Sequence, residues 1–186
     1  MERDGMDVPF VSRDEMLANN VSRASEMRGS PLAFLDMRMP GHERENINII
    51  GLNVTENADD PALDPIIKAP AHGFSVGYIR ARNGRGAALH AHETEEVFIP
   101  IRGQWEIYWL AGEEEQAVTL DVGDVVNVPL GIYRGFRCAC DDPEALMLAV
   151  VGGPDAGKPN WHPSVLEAAR ETGLSVDDQG NLREDA

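Results

Sequence analysis

Five positions between Gly84 and Gly103 carry the chemistry of this chain. Gly84, His90, His92, Glu96 and Gly103 fall at the spacing G-x5-H-x-H-x3-E-x6-G, which gathers two imidazoles and a carboxylate within a few residues of each other. Imidazole nitrogen and carboxylate oxygen together suit a divalent transition metal such as iron, manganese, nickel or zinc. On a strand, residues two apart point to one face, so His90 and His92 project together, and Glu96 shares their parity if the strand runs on. From the chain's own Gly, His and Glu frequencies, a chance match to all five positions is on the order of 10⁻⁴, small for a motif of this kind. Two other features are weaker. Glu113, Glu114 and Glu115 read as a solvated hairpin tip, and Gly84-Arg85-Gly86 lacks the further glycine, lysine and helix of a nucleotide loop.

The segments that must hold this stretch in place show the pattern of short strands and tight turns. Residues 74–82 lead through Asn83-Gly84, a hairpin signal, into strands expected over 87–92, 95–101, 104–110 and 116–120, then 124–128, 133–138 and 145–151. Upstream, 46–54 alternates as a strand, with a switch of parity beside Gly51 that signals a β-bulge. In the last strand Leu146, Leu148 and Val150 oppose Met147, Ala149 and Val151, so both faces are expected to be covered. Such even spacing favours an antiparallel sandwich or barrel of the jelly-roll kind. A helix is expected over 12–28, opened by a capping box of Ser12 and Glu15 and stopped by Gly29, Ser30 and Pro31; a second covers 164–172. Residues 158–162 read as a loop with no chemistry of their own. The organisation is a helical arm (1–45), a β-barrel (46–152) and a tail with a short helix (153–186).

The Gly84–Gly103 stretch resembles the first conserved motif of the cupin superfamily, and a second follows at the distance such proteins keep, Gly123, Pro129, Leu130 and Gly131 reading G-x5-P-x-G. The resemblance spans about residues 74 to 152. It implies an all-β, cupin-type antiparallel jelly-roll β-barrel in which His90, His92 and Glu96 are metal ligands. In the family the second motif continues to a His, the fourth ligand, and to an Asn; those positions here hold Arg134 and Cys138. The resemblance also sets the aromatic side chains that follow the first motif near the barrel mouth. Trp105 and Trp109 are therefore candidate substrate contacts, and Phe98 within the motif and Cys138 are candidates beside them.

Arg134 decides how the site is read. Guanidinium stays protonated and offers donors only, so it cannot replace an imidazole ligand, and a buried cation requires an anionic or carbonyl partner. Three arrangements remain open. In one, His90, His92 and Glu96 hold a metal while Arg134 anchors an anionic substrate for dioxygenase- or decarboxylase-like chemistry. In another, Glu96 pairs with Arg134 and the barrel is a metal-free pocket for binding, sensing or isomerisation, with Tyr133 and His72 as acid-base groups. In the third, the motif supports a structural network only.

A formal charge of -16, with 16 basic residues against 32 acidic ones, speaks against nucleic acid as a partner, because neutralising phosphates takes clustered Lys and Arg. The two cysteines stand two apart, too close for a useful disulfide loop. Neither a signal-like segment nor a membrane-length apolar run is present, and a cytoplasmic protein is the expectation. The apolar periodicity of the arm and last strand leads to an expected homodimer.

Overall fold

Alternating side chains between tight turns build two five-stranded antiparallel sheets. The computed structural model describes residues 10–51, 55–57, 59–67, 73–153 and 157–184. In chain order its strands are β1 (Arg44–Ile50), β2 (Phe74–Ala81), β3 (Gly86–Ala91), β4 (Glu96–Arg102), β5 (Trp105–Ala111), β6 (Glu114–Leu120), β7 (Val126–Val128), β8 (Arg134–Cys138), β9 (Leu146–Gly152), β10 (Asn160–Trp161), β11 (Leu174–Val176) and β12 (Leu182–Glu184). Two helices flank them, α1 (Arg13–Asn20) and α2 (Pro163–Glu171). One sheet has the order β1-β2-β9-β4-β7 and the other β10-β3-β8-β5-β6, while β11 and β12 form a separate hairpin. From β2 to β9 the chain crosses between the two large sheets at every step except β5 to β6, the jelly-roll arrangement expected from the turn spacing.

Two glycines allow the close approaches on which the site depends. At Gly86 an added Cβ would lie 1.9 Å from the carbonyl oxygen of Phe136, so only glycine lets β3 start this near β8. Gly103 turns β4 into β5 at φ 77°, where a Cβ would meet Cys140 and Ala145. The core between the sheets is apolar, with Phe136 at its centre: its ring lies 5.2 Å from Phe98 and 6.2 Å from Trp105. The bulge expected near Gly51 occurs as a register shift between Asn48 and Ile50.

The outer segments differ more from the sequence expectation. The capping box forms, with Ser12 N donating to Glu15 Oε2 (2.8 Å) and Glu15 N to Ser12 Oγ (3.2 Å), but α1 ends at Asn20 and buries no residue. Asn19 and Asn20 are weak helix formers, and a short helix gains little without a packed face. Within the loop expected over 158–162, Asn160 and Trp161 form a short strand: β10 adds to the edge of β3, pairing Asn160 with Ala91 and Trp161 with His90. A second apolar cluster then forms outside β3, where Phe34, Leu35 and Met37 of the N-terminal part meet Trp161, Val165 and Leu174 of the tail. β9 lies at the centre of its sheet; Met147 and Val151 are buried, but Leu146, Leu148 and Val150 on the other face are only half-buried. No helix among the described residues is long and apolar enough to cross a membrane.

Candidate functional site

The three candidate ligands arrive from different sheets. His90 lies within β3, paired in register with Trp161 of β10 on one side and Arg134 of β8 on the other. His92 follows the end of β3, the chain turns through 93–95, and Glu96 opens β4 in the opposite sheet. Glu96 therefore reaches the imidazoles by a crossing of the barrel and not by sharing the parity of a continuing strand. One ligand atom from each of the three lies within 4.8 Å of the others, and all three residues are buried.

Hydrogen bonding sets the imidazoles for ligation. His90 Nδ1 is 2.8 Å from the carbonyl oxygen of Ala88, which can only accept; the proton is therefore on Nδ1 and the lone pair of Nε2 is free. His92 Nδ1 is buried with no hydrogen-bond partner among the described residues. Burial pushes His90 well below the ordinary imidazole range, and the charges of Arg134 and His92 push in the same direction. Burial also takes His92 down to about 4, partly opposed by Glu96. Both rings are neutral at pH 7, the form that binds metal.

Arg134 is turned towards the protein. It is 2% exposed; Nε donates to Glu96 Oε2 (2.9 Å), one terminal nitrogen donates to the same oxygen, and the other donates to the carbonyl of His90 (3.0 Å). The other carboxylate oxygen, Glu96 Oε1, accepts no hydrogen bond among the described residues.

A cavity of about 80 Å³ adjoins the cluster, space for several waters or the reacting end of a small ligand. His90, His92 and Glu96 form one part of its wall, and Asn46, Asn48 and Ser75 from β1 and β2 add polar groups. Asn48 Nδ2 is committed to the carbonyls of Gly51 (3.1 Å) and Leu63 (3.0 Å), whereas the Asn46 amide makes no side-chain hydrogen bond among the described residues. Phe34 and Trp161 supply apolar wall from the outer segments. Glu56, 2% exposed, ties these segments together: Oε1 accepts from Trp161 Nε1 and Oε2 from the Leu35 amide, each at 2.6 Å. Burial raises its pKa to about 7 against the lowering effect of these two bonds.

The remaining candidates lie outside this wall. Trp105, Phe98 and Cys138 sit in the core cluster, and none lines the cavity. The Cys138 sulfur is 3.7 Å from that of Cys140, and burial pushes its thiol up to about 11. Trp109 is half-buried on β5, in register with Arg134, and Tyr133 sets its ring edge-on to His162 at 4.8 Å; neither lines the cavity. His72 lies outside the described residues. Asn46, Ser75, Phe34 and Trp161 escaped the sequence reading. The alternation of Asn46 and Asn48 with Ile47 and Ile49 was the one available signal, since it places two amides on the face opposite the isoleucines.

The donor set suits a divalent metal: two neutral imidazoles, one with its tautomer fixed and the other with a buried nitrogen orphaned among the described residues, converge with the Glu96 carboxylate, whose Oε1 accepts no hydrogen bond among the described residues. No family model matches the chain, and no curated protein matches it. Solved structures do. A cupin-2 domain-containing protein from Halorhodospira halophila is 18% identical with a TM-score of 0.50, covering 73% of this chain and 85% of that one. A cupin-2 domain protein from Shewanella frigidimarina is 20% identical at TM-score 0.37, covering 46% and 76%. An oxalate oxidase is 16% identical at TM-score 0.49, covering 69% of this chain and 59% of that one. The sheet topology and the first of these likenesses define the class: the chain has the fold of the cupin superfamily.

Proposed function

We propose that this cupin binds a small anionic organic molecule in its barrel cavity and acts on it as a metal-dependent, dioxygenase- or decarboxylase-like enzyme. The convergence of His90, His92 and Glu96 on one wall of the cavity carries this reading. A divalent metal there supplies Lewis acidity and open positions for substrate oxygen. His90 and His92 hold it as neutral donors and Glu96 through Oε1. Arg134 acts on the site through Glu96, fixing the carboxylate from behind, since all its hydrogen bonds go to Glu96 and to the His90 carbonyl. Asn46 and Ser75 face the organic part of the ligand, and Phe34 and Trp161 keep water from it.

His92→Ala tests the reading. Metal per chain, measured by elemental analysis of untagged protein, should fall at least tenfold while the circular dichroism spectrum is kept, because a two-ligand remnant binds far more weakly. Unchanged metal content would overturn the site.

The buried Arg134 and Glu96 pair favours a second reading, a metal-free pocket in which the carboxylate is spent on the guanidinium. Wild-type protein that takes up no metal under any condition would establish it. The assembly we propose is a homodimer, supported by the half-buried apolar outer face of β9 and by α1, which buries no residue of its own. A monomeric mass by light scattering at micromolar concentration would count against it.

A further inference from the structure

We infer that metal and anion enter this cavity as a couple: because Arg134 cancels the charge of Glu96, a divalent cation binds tightly only with a dianionic oxygen ligand beside it. The inference rests on the metal-binding reading and adds a ligand class and an order of dependence to it.

Charge in the wall is easily counted. Among the described residues, Arg44, His90, His92 and Glu96 are its ionisable members. Arg44 is matched by Asp36, which accepts from both of its terminal nitrogens at 2.9 Å. Glu96 is matched by Arg134, whose side chain is 2% exposed against 6% for the glutamate, so solvent screens neither. The two imidazoles act as neutral ligands. With their partners these described groups sum to zero, and Arg134, bonded to Glu96 Oε2 from behind, offsets part of the attraction that the carboxylate exerts on a cation at the cluster. A buried double positive charge without compensation is strongly disfavoured.

A dianion restores neutrality, and the site is shaped to admit one. Three protein donors leave coordination positions open on the cavity side, and among the described residues no cation other than the matched Arg44 lines the wall to bind the anion alone. Asn46, with no side-chain partner among the described residues, and the Ser75 hydroxyl offer hydrogen bonds to its far end. Linkage makes the dependence mutual, so the anion tightens the metal by the factor with which the metal tightens the anion.

Mn²⁺ binding to the wild-type protein, measured by calorimetry at matched free Mn²⁺ with malonate, with acetate or with neither, tests this. Malonate should tighten Mn²⁺ by about 30-fold and acetate by less than about threefold. Arg134→Gln removes the cation and Arg134→His adds a fourth ligand as well; both should bind Mn²⁺ without anion at least about tenfold more tightly than wild type, with little further effect of malonate. Tight wild-type Mn²⁺ binding that ignores malonate would overturn the coupling and leave the metal site standing. Malonate binding that ignores Mn²⁺ would also overturn it. Absence of Mn²⁺ binding with or without malonate would overturn both the coupling and the metal site. Should either variant fail to fold by circular dichroism, the wild-type comparison decides alone.

Discussion

Two buried arginine–carboxylate pairs lie near the cavity, and they are finished to different degrees. Arg44 and Asp36 meet fork to fork, the Ala88 amide donates to Asp36 Oδ2 (2.8 Å), and Arg44 also serves the carbonyls of His42 and Gly86, each at 3.1 Å. The guanidinium lies between the rings of Phe34 and Phe136, 5.7 and 5.6 Å from their centroids. That pair fastens the N-terminal segment to the barrel and uses both carboxylate oxygens of Asp36. Arg134 and Glu96 use a single carboxylate oxygen between them, and the other accepts no hydrogen bond among the described residues. On the proposed metal-binding reading, equal burial thus accompanies opposite roles, and what separates the two pairs is the acceptor that no described residue uses.

The largest effect should come from breaking the finished pair. Asp36→Ala strands a buried guanidinium and should lose about 3–5 kcal/mol in urea denaturation; a loss below about 1 kcal/mol would remove the contrast drawn above. Glu56 sharpens it as a buried carboxylate with N–H donors and no arginine. Its folded pKa, about 7, is raised above the ordinary carboxylate value of 4.5, so the folded state holds the proton more tightly. Its contribution is then fully present below pH 4.5 and is lost as pH rises to about 7, a change of about 3 kcal/mol. Glu56→Gln should remove that decline when denaturation at pH 5 and pH 7.5 is compared; an unaltered pH profile would show that Glu56 is ionised throughout. The smallest effect belongs to Asn46→Ala, which removes one hydrogen bond to bound ligand. Affinity should weaken about five- to tenfold, with folding stability changed by less than about 0.5 kcal/mol.

The strands and the imidazole pair were legible because both are local. Alternation and turn glycines mark a strand within a few residues, and a shared face two positions apart needs no knowledge of the fold. The partner of Arg134 was legible only as a choice, since pairing with a residue 38 positions away depends on where two strands cross. Asp36, Glu56 and Trp161 were not legible at all. Two residues show no periodicity, so nothing in Asn160-Trp161 announces a strand; the free edge of β3 selects it. The helix over 12–28 was overextended for the converse reason, a readable apolar stripe with nothing to cover it.

The hydrogen bond from Trp161 to Glu56 spans 105 residues. During synthesis the strands from β1 to β9 are complete before Trp161 leaves the ribosome, yet the cavity still lacks one side and β3 still shows a bare edge. Contacts of such separation form late, after the entropy of closing a long loop has been met. The nascent barrel therefore passes through a stage in which the strand that bears His90, and leads into His92, can accept a foreign strand, and the last fifth of the chain is what ends that exposure.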